Sequence, residues 1–138
     1  MPTTAAPPRP NVLEGVTTRL NTERGELFVT VSTDAYGSPV EVFGRLGKAG
    51  SFEHGVTELA CRLVTLALRS GATARDVVSE CHGISEMQPF PNRIGRDTVM
   101  VHGLGDGIAH VLASCVTTGD DVARGAPEIE QVKGGEKR

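Results

Sequence analysis

Glu26-Leu-Phe-Val-Thr-Val-Ser-Thr33, then Asp34-Ala-Tyr-Gly-Ser38, then Pro39-Val-Glu-Val-Phe-Gly-Arg-Leu46 is the stretch that decides the fold class. In the first run Leu27, Val29 and Val31 fall on one side of an extended chain, and Phe28, Thr30 and Ser32 on the other. That period of two is the mark of a strand. Asp34 to Ser38 supplies turn chemistry and the alternation resumes at Pro39, so the two runs predict a hairpin within an antiparallel meander. Upstream, Val16 to Asn21 is a shorter candidate strand.

Downstream the period changes. Ser51 is placed to cap a helix from Phe52 to Ser70, with Val56, Leu59, Ala60, Leu63, Val64 and Ala67 as its buried stripe and Gly71 as a left-handed stop. Leu66 and Leu68 widen that stripe, which predicts a central helix. Thr73-Ala-Arg-Asp76 is a relative of the capping box and opens a short helix through Val77, Val78 and Cys81, ended by Gly83. Glu86 to Asp97 reads as a loop, because Pro89 and Pro91 forbid regular helix. Asp106 is expected to cap a last helix that turns Ile108, Ala109, Leu112, Cys115 and Val116 inward. The expected architecture is α+β: a meander of about three strands, followed by two to three helices packed on one face.

The 138 residues suffice for one domain. With four Phe, one Tyr and no Trp, the core must be aliphatic, and stacking platforms for single-stranded nucleic acid are excluded. A net charge of −3 argues against a phosphate-backbone binder, so nucleic acid is not an expected partner. No stretch approaches the ~18 apolar residues of a membrane span, and the first ten residues lack the apolar run of a signal peptide. A cytoplasmic location is expected. Cys61, Cys81 and Cys115 lie within helical patterns and read as small buried hydrophobes. Residues 1–9, with Pro2, Pro7 and Pro8, and residues 119–138, charged and poor in apolar side chains, are expected to be disordered tails around a domain spanning 10–118.

From Arg9 to Gly50 the chain carries an ordered set of short strings: Arg9-Pro-Asn-Val-Leu-Glu-Gly15, Leu27-Phe-Val-Thr-Val31, Pro39-Val-Glu-Val-Phe43 and Arg45-Leu-Gly-Lys48. Arg62 to Gly71, His82-Gly83-Ile84 and Asp106-Gly-Ile-Ala109 continue it. Together these resemble the TSCPD domain at the C-terminus of adenosylcobalamin-dependent (class II) ribonucleotide reductases. The resemblance implies a fold that, in its relatives, carries four cysteines suited to a zinc or redox cluster. Here the corresponding positions hold Arg24, Phe52, Glu86 and Leu104, none of them a thiolate. His54 and His102 are the nearest substitutes and are too few, so no metal is expected. If the four positions converge, the substitution pattern implies an ion pair of Arg24 with Glu86 beside an apolar contact of Phe52 with Leu104.

Ribonucleotide reduction as the resembled enzymes perform it needs a thiyl radical and mobile cysteine pairs. This chain has no two cysteines closer than Cys61 and Cys81, so independent catalysis is not expected. Adenosylcobalamin belongs to the parent reductase, and no cofactor is expected here. The loop with Arg45, Gly47, Lys48, Gly50 and Ser51 joins a strand to a helix N-terminus and is a candidate for phosphate or nucleotide binding, weighed against a plain tight turn with solvated basic side chains. It lacks the spacing of a Walker loop. His54, His82, His102 and His110 are scattered and read as surface or capping residues. The expected function is that of a non-catalytic accessory or regulatory module linked to deoxyribonucleotide synthesis, acting by contact with a class II reductase and by nucleotide binding. The alternative is a stand-alone homodimeric interaction protein.

Overall fold

A computed structural model describes residues 8–116; of the expected tails at 1–9 and 119–138, all but residues 8 and 9 lie outside the described residues. Strands β1 (Glu14–Thr22), β2 (Gly25–Thr33) and β3 (Pro39–Leu46) form an antiparallel sheet in sequence order. Helices α1 (Phe52–Arg69) and α2 (Ala74–Cys81) follow, then strands β4 (Phe90–Ile94) and β5 (Asp97–Val101) and helix α3 (Leu104–Ser114). The α+β meander followed by helices is the architecture the alternation and periodicity predict. At the β2–β3 turn the Asp34 carboxylate accepts from the backbone of Tyr36 and Ser38. Gly37, at φ +83°, takes the left-handed position that glycine adopts without penalty. Arg9, just before the sheet, pairs with the buried Glu41 at 2.5 Å.

Register divides the sheet into two faces. Leu20 pairs with Leu27 and Leu27 with Leu46, while Val31 pairs with Val42, so these side chains share one buried face. The opposite face is open and carries Arg19, Phe28 and Arg45 in one cross-strand row, with Thr17, Thr30 and Phe43 in another. Both helix contacts on the buried face are made over glycine. A Cβ at Gly44 would come within 2.8 Å of the Cys61 sulfur, and one at Gly107 within 3.1 Å of Leu27 Cδ2 and 3.2 Å of Leu20 Cδ1. Helix α1 also closes the outer edge of β3: the Thr65 hydroxyl accepts from the Val42 N–H and donates to the Val42 carbonyl. An edge strand left bare would be open to unwanted pairing.

Close packing at Gly44 corrects the expected face of α1. The buried residues are Thr57, Cys61, Val64 and Leu68. Val56, Leu59 and Leu63, expected inside, face solvent together with Leu66. The helix has two apolar stripes, and the small Thr57 and Cys61 are the ones that fit over the glycine. The loop expected from Glu86 to Asp97 is in part a hairpin. Pro91 sits within β4, which pairs only with β5, so its missing N–H costs no ladder bond on the far side. The Asn92 amide joins this hairpin to the main sheet, accepting from the Asn21 N–H at 2.7 Å and donating to the Asn21 carbonyl at 2.9 Å. The capping box of α2 forms as expected, with Thr73 and Asp76 bonded reciprocally.

Gly44→Ala places a methyl group against Cys61 and Thr57 and is expected to destabilise the fold by about 1–3 kcal/mol, measured by urea unfolding. Unchanged stability would show that α1 does not rest on β3 at this point.

Candidate functional site

Arg24 lies in the turn between β1 and β2, Phe52 opens α1, Glu86 lies between α2 and β4, and Leu104 opens α3. The fold brings all four to the lining of one small cavity of about 130 Å³, together with Leu46, Val56 and Met87. Side-chain pairing there differs from the expected one. Arg24 bonds Glu53 at 2.7 Å, next to Phe52 in sequence, and not Glu86. The Arg24 pair and its own backbone N–H hold the Glu53 carboxyl below the usual range, the backbone contact weighing most. Glu86 turns to the N-terminus of α3, where it accepts the Leu104 N–H at 2.7 Å. Gly103 makes room for that carboxylate, because a Cβ there would overlap it. A carboxylate on the free N–H groups of a helix start meets both hydrogen-bonding demand and the positive end of the dipole. Leu104 is buried, whereas Phe52 is 80% exposed and plugs nothing.

The loop after β3 separates into two environments. Gly47, Lys48 and Ser51 line a second cavity, of about 480 Å³, with Glu23, Arg24 and Glu53. Ser51 uses its hydroxyl to cap α1, accepting from the His54 N–H at 3.1 Å. Arg45 belongs to the open sheet face, with its guanidinium carbon 5.1 Å from the centre of the Phe28 ring. Gly50 supplies a left-handed turn at φ +86° and does not line the cavity. The cavity thus sets Lys48 of the loop and Arg24 of the β1–β2 turn against the carboxylates of Glu23 and Glu53.

Three of the four histidines gather around Asp106, a grouping that scattered sequence positions do not reveal. Asp106 is 1% exposed. It lies inside the first turn of α3 and is not the cap expected; the cap position is Gly103. Its Oδ1 accepts the Gly83 N–H at 2.7 Å, and its Oδ2 accepts the His102 N–H at 2.9 Å. The His102 ring lies 3.1 Å from Oδ2 and His110 Nε2 lies 3.5 Å from Oδ1. Burial pushes the Asp106 carboxyl up, but His110 and the two backbone N–H groups together outweigh it and hold the group well below the usual carboxylate range. These partners favour the ionised form of the buried Asp106 carboxylate.

The cysteines offer no comparable chemistry. Burial, with Cys81 nearby, pushes the Cys61 thiol up to about 12, and burial also raises Cys81 and Cys115. Thiols of this kind are poor nucleophiles at neutral pH. Among the described residues no helix is long and apolar enough to cross a membrane.

The family model of the TSCPD domain matches residues 2–116 of the chain. No curated protein and no solved structure shows significant similarity to it.

Two expectations follow from this geometry. Replacing Arg24, Phe52, Glu86 and Leu104 together by cysteine should create a tetrahedral thiolate site, visible as sulfur-to-metal charge-transfer absorption when Co²⁺ is added; absence of that band would show that the four positions do not converge closely enough. Asp106→Asn places an amide donor where the Gly83 or His102 N–H now donates, and is expected to cost about 2–3 kcal/mol at neutral pH, read from urea unfolding.

Proposed function

The chain belongs to the TSCPD domain family, and from that premise we propose that it is a non-catalytic, cytosolic accessory module that works by protein contact. The domain is associated with the C-termini of ribonucleotide reductases, and the partner in this reading is a class II reductase. The observation that carries the reading is the outer face of α1. Phe52, Val56, Leu59, Leu63 and Leu66 recur at steps of four, three, four and three residues along one side of the helix. Phe52 is 80%, Leu59 58%, Leu63 56% and Leu66 61% exposed. That spacing is the seam of a helix that packs against another helix, and solvated apolar patches of this extent mark interaction surfaces. The raised cysteine thiols support the absence of independent catalysis.

Nucleotide binding at the Gly47–Ser51 loop is part of the same reading and draws on Lys48 alone as its cation, in a cavity that Glu23 and the paired Arg24 and Glu53 also line. The second reading, a homodimer without a reductase partner, draws on the same seam, because a run of apolar residues at heptad spacing is complementary to a copy of itself.

A pull-down of purified class II reductase by the chain, beside the Leu59→Glu/Leu63→Glu double variant, tests the reading. Burial of two leucines is worth roughly 3–6 kcal/mol, so retention of the reductase should fall by on the order of 100-fold or more in the variant. A dimer that persists on light scattering, ignores the reductase and dissociates in the variant would replace the first reading with the second. Heat of ATP or dATP binding that vanishes in Lys48→Ala would support the nucleotide site, and an unchanged titration would remove it.

A further inference from the structure

His82, Asp106 and His110 meet where the end of α2 abuts the first turns of α3. Asp106 and His110 are four residues apart and share one face of α3. His82 is the C-cap residue of α2, delivered to the same spot by the Gly83 turn, whose N–H is bonded to Asp106. One donor atom from each of the three residues lies within 4.8 Å of the other two. The rings of His82 and His110 stand edge to face, 5.3 Å between centres. Asp106 and His110 are buried, while His82 is half-buried and leaves one side of the cluster open to water.

We propose that His82, Asp106 and His110 form a binding site for a transition-metal dication, with zinc the best match to the donor set. Two imidazoles and one carboxylate are the three-ligand combination that zinc accepts with a fourth position left for water. Ligand atoms arranged tetrahedrally at about 2.0–2.2 Å from such an ion are roughly 3.3–3.6 Å apart. His110 Nε2 and Asp106 Oδ1 are already 3.5 Å apart, and the three donor atoms all lie within 4.8 Å of one another. The surroundings fit as well. Ligating carboxylates are held in place by hydrogen bonds of their own, and here the Gly83 N–H, the His102 N–H and the His102 ring fix Asp106. Among the described residues no Lys or Arg forms an ion pair with this buried carboxylate. A dication held between the two imidazoles and this carboxylate would offset the cost of burying its charge. None of the three ligands lines the cavity of Arg24, Phe52, Glu86 and Leu104, so the two sites are separate.

The competing reading is that Asp106 is a hydrogen-bonded latch that holds no ion. The two are separated by calorimetric titration of the untagged, chelator-treated full chain with zinc chloride, with Co²⁺ absorption as a second readout. The site predicts one equivalent of zinc per chain and affinity reduced at least 10-fold in His82→Ala and in His110→Gln. His82→Ala leaves the Asp106 hydrogen bonds intact, so its unfolding curve without zinc should match that of the wild type. His54→Ala, on α1 and outside the cluster, should bind zinc as the wild type does. Absence of stoichiometric uptake by the wild-type chain, or unchanged affinity in His82→Ala, would overturn the proposal.

Discussion

The buried carboxylate of Asp106 joins pieces of chain that are far apart in sequence. It takes the N–H of Gly83 beyond the end of α2 and that of His102 at the exit of β5, and it sits beside His110 one turn further along α3. With water excluded, each of these bonds is worth more than at the surface, and losing one would strand a buried charge. The position of α3 depends on this junction. So does the core, because α3 lays Gly107 directly on Leu20 and Leu27. Glu86 adds a second carboxylate at the start of the same helix. Two anions at one helix N-terminus answer both its unpaired N–H groups and its dipole.

The four positions that the resemblance aligns with cysteines hold Arg24, Phe52, Glu86 and Leu104 here. The four substituted positions still line one cavity, but their side chains have gone separate ways. Glu86 has become a helix cap, Arg24 pairs with Glu53 near the surface, Leu104 is core and Phe52 is solvated. Of these, the Glu86 helix cap and the buried leucine carry the stability. An exposed Arg–Glu pair is worth little. This region is held by hydrogen bonds and apolar contact.

Helix α1 works on two sides at once. Its inner side, made of small or slender residues, seats on Gly44 and closes the β3 edge through Thr65. Its outer side carries the larger apolar residues into water. A monomer gains nothing from that exposure, whereas a partner helix would bury it. The open sheet face, with Arg19, Phe28 and Arg45 in one row, is polar enough to remain solvated.

Strand alternation, the Asp34–Gly37 turn, the Thr73 capping box and the starts and stops of α1 and α2 were legible in the sequence, because each depends on residues within one turn or one hairpin of each other. The convergence of Arg24, Phe52, Glu86 and Leu104 was legible only through the family resemblance. Three features belonged to the tertiary structure alone. The choice between two apolar stripes on α1 was made by the room over Gly44, a residue on another element. The β4–β5 hairpin was hidden by its prolines, and its anchor to the sheet is the side chain of Asn92, 71 positions from Asn21. His102 and His110 stand four residues to either side of Asp106, but His82 reaches the cluster through the long-range bond from the Gly83 N–H to Asp106. Local backbone preference is written in neighbouring residues, whereas the fit of one surface on another exists only after the chain has closed on itself.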